Sequence, residues 1–123
     1  MAAEFIHKFA PGRLPVTVLL LHGSGGDEND LLPVARAIAP GAAFLSPRGR
    51  VMDRGLLRFF ALDKSDVKER AGELAEWIAE AAAKYEIDAA RLFALGYSNG
   101  ANTAAAVMLL YPGAIAGAWL PRH

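Results

Sequence analysis

The residues with the clearest chemical meaning are Gly96-Tyr-Ser-Asn-Gly100, which lie between an apolar run at 92–95 and an alanine-rich run at 101–111. The first run predicts a strand and the second predicts a helix. In a G-x-S-x-G turn the backbone reverses so tightly that side chains on either side of the serine would collide, hence the glycines. The serine hydroxyl is then exposed at a helix N-terminus, so the pattern predicts a nucleophile at Ser98.

A serine that transfers acyl groups also needs a base, an orienting acid and amide donors for the tetrahedral oxyanion. The amide of Asn99, directly after the nucleophile, is one predicted donor. The second is the Ser24 amide in the glycine-rich loop 22–28, which follows an apolar run. Glycines such as Gly23 let the backbone approach the site without side chains in the way. The alternative is that Ser98 and these glycines only form tight turns.

The elements that position these residues alternate along the chain. Strands are predicted at 4–9, 16–21, 42–45, 91–95 and 114–120, and helices at 29–39, 66–85 and 101–111, with a loop at 46–64. This order predicts an α/β fold with a mostly parallel sheet flanked by helices. The first two strands are joined by a short turn rich in proline and glycine, which predicts antiparallel neighbours. Asp66 and Glu69 predict a capping box at the start of the long helix.

Composition limits the classes of partner and compartment. The 123 residues predict one domain, 1–123, with 13 basic residues balancing 13 acidic ones and no basic cluster among aromatics, which argues against nucleic acid. The absence of cysteine is compatible with a reducing compartment, so a cytoplasmic location is predicted. The apolar run near the C-terminus is interrupted by Pro112-Gly113, which predicts a helix followed by a strand and no membrane span.

Metal and cofactor binding are not predicted. Asp27, Glu28 and Asp30 precede a predicted helix, whose N-terminus favours nearby negative charge, and no H-x-x-x-H spacing is present. A dinucleotide loop is a distant alternative, because glycines follow a strand and Arg48 and Arg50 follow the next one, where they could meet a 2′-phosphate. That fingerprint fails at position 28, where G-x-G-x-x-G requires glycine. Arg48 and Arg50 are otherwise surface residues or substrate contacts.

Four segments occur together in order: His22-Gly-Ser-Gly-Gly-Asp-Glu28, Ser46-Pro-Arg-Gly49, Arg58-Phe-Phe60 and Leu95-Gly-Tyr-Ser-Asn-Gly100. In these the chain resembles the phospholipase/carboxylesterase family of α/β hydrolases, which includes acyl-protein thioesterases and small bacterial carboxylesterases. The resemblance covers nearly the whole chain. It implies a serine hydrolase of small-molecule carboxylic esters or thioesters, with Ser98 as nucleophile and the Ser24 and Asn99 amides as oxyanion hole. It also implies Phe59 and Phe60 near the acyl site, and His22 as support for the oxyanion loop.

The chain departs from this family in the acid and the base of the catalytic triad. In this fold they follow the nucleophile along the chain. After Ser98 there is no Asp or Glu, and the only histidine is His123; His7 and His22 are weaker candidates for the base. The resemblance therefore implies an N-terminal portion of the fold, an incomplete α/β hydrolase lacking its last strands.

Two expectations follow from the incomplete triad and fold. The isolated chain should be weakly active or inactive, because an unassisted serine hydroxyl is a poor nucleophile at neutral pH. The alternative is a non-catalytic α/β-hydrolase fragment or an interaction module. The strand near 114–120 should lie at the sheet edge with apolar faces uncovered, which predicts self-association or poor solubility.

Overall fold

The computed structural model describes residues 4–121. Its elements in chain order are β1 (His7–Ala10), β2 (Thr17–Leu21), α1 (Leu32–Ile38), β3 (Ala43–Pro47), β4 (Val51–Asp53), β5 (Leu56–Arg58), α2 (Val67–Lys84), a 3₁₀ turn (Ala89–Arg91), β6 (Leu92–Gly96), α3 (Asn99–Leu110) and β7 (Gly117–Trp119). Five strands form one sheet in the order β1-β3-β2-β6-β7, and β4 pairs with β5 in a separate hairpin. The predicted α/β fold with a mostly parallel sheet is confirmed: within the described five-stranded sheet, only β1 runs antiparallel to its neighbour.

The prediction that the first two strands are neighbours is wrong, because β3 lies between them. The connection from β2 through α1 returns the chain beside β2 as a parallel crossover, and β1 then joins the outer side of β3. Residues 19–21 of β2 are almost completely buried, as expected of a central strand covered on both faces. Pairing of Leu21 with Gly96 places the carboxyl ends of β2 and β6 side by side.

The core divides between the two faces of the sheet. Leu19 and Leu21 of β2 face α2 and α3, and they pack in one cluster with Leu74 and Ile78. Leu20 points to the opposite face and joins a smaller cluster beneath α1. This division follows from the two-residue repeat of a strand, which sends successive side chains to opposite sides.

Local side-chain bonds shift two predicted boundaries. The Asp27 carboxylate accepts the Asn29 amide at 2.8 Å, and α1 begins only at Leu32 rather than at 29. Asp66 does not cap α2 with its side chain, contrary to the capping-box prediction. Its carboxylate instead accepts the Ala61 amide at 2.8 Å, because an Asp side chain can satisfy loop backbone as readily as a helix end.

The segment 46–64, predicted as a loop, contains the β4–β5 hairpin. Its two turn residues, Arg54 and Gly55, have φ values of 53° and 78°. Two consecutive left-handed residues fit a type I′ connection, whose twist matches that of paired strands. The hairpin positions the residues after β5 beside the carboxyl end of the main sheet.

The β7 side of the sheet exposes apolar residues. Trp119 is 55% exposed and Leu109 on α3 is 82% exposed. An apolar groove of about 400 Å³ lies between α1 and strands β6 and β7, with Phe93 and Trp119 in its lining. Among residues 4–121 no helix is both long and apolar enough to cross a membrane.

Candidate active site

Ser98 lies at the carboxyl end of β6, immediately before the first residue of α3. Its side chain is exposed, and its backbone has φ 56° and ψ −115°. Positive φ is uncommon for a residue with a side chain and persists only where the surroundings impose it. The carboxyl ends of parallel strands are also where α/β sheets bind ligands. The sharp turn thus presents the Ser98 hydroxyl at a helix N-terminus.

The glycines on either side of Ser98 are required by close packing. A Cβ at Gly96 would lie 2.7 Å from the Gly100 carbonyl oxygen. A Cβ at Gly100 would overlap the Leu21 carbonyl and lie 2.6 Å from that of His22. The turn therefore rests directly on the end of β2, and the amide of Tyr97 donates to the Leu21 carbonyl at 3.1 Å.

The glycine-rich loop after β2 contacts the Ser98 turn. A Cβ at Gly23 would lie 3.3 Å from the Tyr97 carbonyl oxygen and 3.4 Å from the Ser98 Cβ atom, so the loop backbone passes close to the serine. Beyond it, the Gly25 amide donates to the Leu57 carbonyl at 2.8 Å and the Gly26 amide donates to the Gly23 carbonyl at 3.1 Å. Ser24 lies between these anchors, one residue from the contact with Ser98.

His22 is buried beneath this loop, with only 2% of its surface exposed. Its Nε2 atom accepts the Gly49 amide at 2.9 Å, and its Nδ1 atom lies 2.7 Å from the Gly23 carbonyl, to which it donates. These two bonds require the neutral tautomer with the proton on Nδ1. The Nε2 lone pair is therefore not free to take a proton from Ser98, and His22 holds the loop in place.

The last residue of β5 and the two residues after it contact the two predicted oxyanion residues. A guanidinium nitrogen of Arg58 donates to the Ser24 hydroxyl at 2.5 Å. The Asn99 side chain accepts the Phe59 amide at 2.7 Å and donates to the Phe60 carbonyl at 3.3 Å. The rings of Phe59 and Phe60 are 4% and 3% exposed, and the Phe59 ring lies 4.7 Å from that of His22. Both residues are thus buried rather than part of an open surface.

Glu28 does not act on the N-terminus of α1 as predicted. Its carboxylate binds Arg48 through two bonds of 2.7 and 2.9 Å. The hydrogen bond from the Arg48 guanidinium lowers the pKa of Glu28 to about 2. Ser46 donates its hydroxyl to the Glu28 carbonyl at 2.8 Å. This pair joins the loop after β2 to the loop after β3, and Arg50 pairs instead with Glu73 at 3.6 Å.

His7, a weaker candidate for the base, lies away from Ser98. The His7 ring bonds the Tyr85 hydroxyl at 2.7 Å and the Phe5 carbonyl at 2.9 Å, on the edge strand β1. Among the described residues, no group of three or more histidines, cysteines or carboxylates could hold a metal ion. His123 lies outside the described residues.

Sequence reasoning did not find the buried contacts of Arg58, the Asn99 side chain and the Gly49 amide. A signal for Arg58 existed, because a charged residue directly precedes two aromatic ones in Arg58-Phe-Phe60. The contact with Ser24 spans 34 positions and depends on the hairpin, which the sequence did not reveal.

The sheet order, the sharp Ser98 turn and the glycine-rich loop beside it define an α/β-hydrolase fold. No model of a known protein family matches the chain. The chain is 41% identical over 120 residues to MhqD of Bacillus subtilis (strain 168), a protein named as a hydrolase, and the match covers 93% of this chain and 60% of that protein.

Two solved structures show the same relationship. The carboxylesterase of Bacillus cereus superposes with a TM-score of 0.90 and 42% identity, over 96% of this chain and 59% of that one. The carboxylesterase of Mesorhizobium loti gives a TM-score of 0.82 and 36% identity, over 89% and 55%. The chain therefore has the α/β-hydrolase fold and is similar to these carboxylesterases over most of its own length. It spans about 60% of the length of these relatives.

Proposed function

We propose that this chain carries the nucleophile and oxyanion hole of a serine hydrolase that cleaves carboxylic ester or thioester bonds of small molecules. The observation that carries the proposal is the exposed Ser98, held at positive φ before α3 with the Gly23 loop close to it. This combination is the nucleophile elbow of α/β hydrolases. Relatives named as carboxylesterases support the same chemistry.

In the proposed reaction, the Ser98 hydroxyl oxygen attacks the carbonyl carbon of the substrate and transfers its proton to a general base. The carbonyl oxygen becomes an oxyanion, which the Ser24 and Asn99 amides stabilise. The Asn99 amide suits this part because the first amides of a helix have no intrahelical partner and the helix dipole favours negative charge there. Collapse of this intermediate expels the alcohol or thiol, which takes up the proton from the base, and leaves an acyl ester on Ser98; water then adds to this ester and releases the acid, which restores the Ser98 hydroxyl.

In this proposal Phe59 and Phe60 support the site without contacting the reacting atoms. Their rings are buried, so we assign them to the apolar wall behind the acyl site rather than to an open binding surface. The backbone of the same two residues holds the Asn99 side chain. Apolar packing at this point keeps water away from the hydrogen bonds that support the second oxyanion donor.

We propose that the chain by itself is a weak or inactive catalyst. Its residues after Ser98 include no Asp or Glu, and His22 is committed to two backbone bonds. Loss of the acid and base costs on the order of 10⁴-fold or more in rate, even where the oxyanion hole persists. The alternative is a non-catalytic α/β-hydrolase domain that acts through binding.

Hydrolysis of a short p-nitrophenyl ester by the wild type, Ser98→Ala and Ser65→Ala tests this proposal. Ser65 is an exposed loop serine and serves as the matched control. We expect a slow hydrolysis that Ser98→Ala reduces to the buffer rate and Ser65→Ala leaves unchanged. Equal rates for the wild type and Ser98→Ala would favour the non-catalytic alternative. Turnover at the level of a complete esterase, abolished by Ser98→Ala, would refute the predicted weakness.

A further inference from the structure

We infer that Arg58 is a positioning residue for the oxyanion hole, holding Ser24 so that its amide is presented beside Ser98. The inference rests on the proposed function. In it, Arg58 does not contact the substrate and affects the reaction only by positioning Ser24. Arg58 is the last residue of β5, and its side chain is 7% exposed. A buried arginine requires partners for its charge, so the identity of those partners indicates what it holds.

The guanidinium of Arg58 is fixed on two sides. One nitrogen donates to the Ser24 hydroxyl. On the other side, Nε donates to the Asp53 backbone carbonyl at 3.2 Å and lies 3.6 Å from a carboxylate oxygen of Asp53. The planar guanidinium makes these bonds in a rigid geometry. The hairpin that carries Asp53 and Arg58 therefore acts as a fixed support for Ser24.

Ser24 needs such support because glycines flank it. Gly25 adopts a φ of 84°, and glycine rotates more freely than other residues on both sides of φ zero. The bond from Arg58 restricts the Ser24 side chain and, through it, the orientation of this part of the loop. With the Gly25 amide bonded to the Leu57 carbonyl, two adjacent loop positions are fastened to the same hairpin strand.

The charge of Arg58 also favours an oxyanion at this position. The Asp53 oxygen nearest the guanidinium also accepts the Leu62 amide at 2.8 Å, so the carboxylate is shared between two donors. Among the described residues, the Arg58 guanidinium thus makes its direct side-chain hydrogen bond to Ser24, while the Asp53 carboxylate lies at ion-pair distance. A cation held in a fixed position stabilises negative charge that develops in the transition state more than it stabilises a neutral substrate. The Ser24 hydroxyl, which accepts from Arg58, retains its own proton for donation.

The test compares Arg58→Lys, Arg58→Gln, Ser24→Ala and the double variant Arg58→Gln/Ser24→Ala. Arg70→Gln is the matched control, since Arg70 lies on α2 and pairs with Glu73 and with Asp66, the residue directly before that helix. The first measurement is the Ser98-dependent hydrolysis of p-nitrophenyl acetate. It is the rate of each protein minus the rate of the same protein carrying Ser98→Ala. The second is the amide NMR spectrum of each variant, which reports the position of the loop without any activity.

We expect Arg58→Gln and Ser24→Ala each to lower the Ser98-dependent kcat about tenfold, the loss typical of one charge-assisted hydrogen bond, with little change in KM. The double variant should be no slower than the slower single variant, because the two residues act through one bond. Arg58→Lys should recover part of the rate. The Ser24 and Gly25 amide signals should move in Arg58→Gln and stay in place in Arg70→Gln.

Independent, multiplying losses in the double variant would overturn the inference, as would unchanged Ser24 and Gly25 signals in Arg58→Gln. If no variant shows a Ser98-dependent rate, the proposed function fails and the NMR signals still decide the positioning of Ser24. If Arg58→Gln does not fold, Ser24→Ala decides, because the Arg58 Nε–H signal must then shift when its neighbouring bond is lost. An unchanged signal there refutes the inference.

Discussion

Replacing Asn99 with alanine should destabilise the fold, because this side chain connects α3 to the residues that follow β5. Asn99 is 6% exposed and bonds the Phe59 amide and the Phe60 carbonyl. Alanine keeps the helix backbone and removes both bonds. The two backbone groups would then remain buried without these partners.

The size of the effect follows from these contacts. A buried amide left unsatisfied costs about 1–3 kcal/mol, and the longer bond to the Phe60 carbonyl contributes about 1 kcal/mol more. Alanine is favoured over asparagine in a helix by about 0.5 kcal/mol, which offsets part of the loss. We therefore expect Asn99→Ala to lower the free energy of unfolding by about 1.5–3.5 kcal/mol.

Urea unfolding followed by the fluorescence of the buried Trp77 measures this loss. The matched control is Asn102→Ala, the same substitution at an exposed position of the same helix. It should change the free energy of unfolding by no more than about 0.5 kcal/mol, in the stabilising direction. If Asn99→Ala and Asn102→Ala unfold with the same free energy, the two side-chain bonds do not support this junction and the reasoning is refuted.

Two further predictions concern pH and association. Folding lowers the pKa of Glu28 from 4.5 to about 2, so the pair with Arg48 stabilises the fold above pH 4.5 and loses this effect as the pH falls towards 2. Since Arg48 is 34% exposed, the advantage of the wild type over Glu28→Gln should be about 1 kcal/mol near pH 6 and vanish near pH 2. Urea titrations at several pH values measure it, and a pH-independent difference would contradict it. The exposed Trp119 and Leu109 predict self-association, which light scattering should show as a mass that rises with concentration and that Trp119→Lys reduces; a wild-type monomer throughout would count against it.

Much of the fold could be predicted from apolar patterning, because the strands of the sheet and the three α-helices each have a clear period or apolar run. Pairing could not. The turn before β2 predicts a hairpin of β1 and β2, yet β3 lies between them. The crossover through α1 brings β3 beside β2, and β1 then pairs with the other edge of β3, so both edges of this buried strand are hydrogen-bonded. The β4–β5 hairpin was missed because its strands are only three residues long each.

The sequence by itself determined the Ser98 turn. Close packing of backbone against backbone admits only glycine at positions 96 and 100, so the requirement is visible in residue type and spacing alone. Tertiary structure decided what supports that turn. Arg58 meets Ser24, Asn99 meets Phe59, and both nitrogens of His22 bond backbone groups. A buried polar side chain must form hydrogen bonds with the groups that surround it. Those groups come from distant parts of the chain, so only the folded structure specifies them.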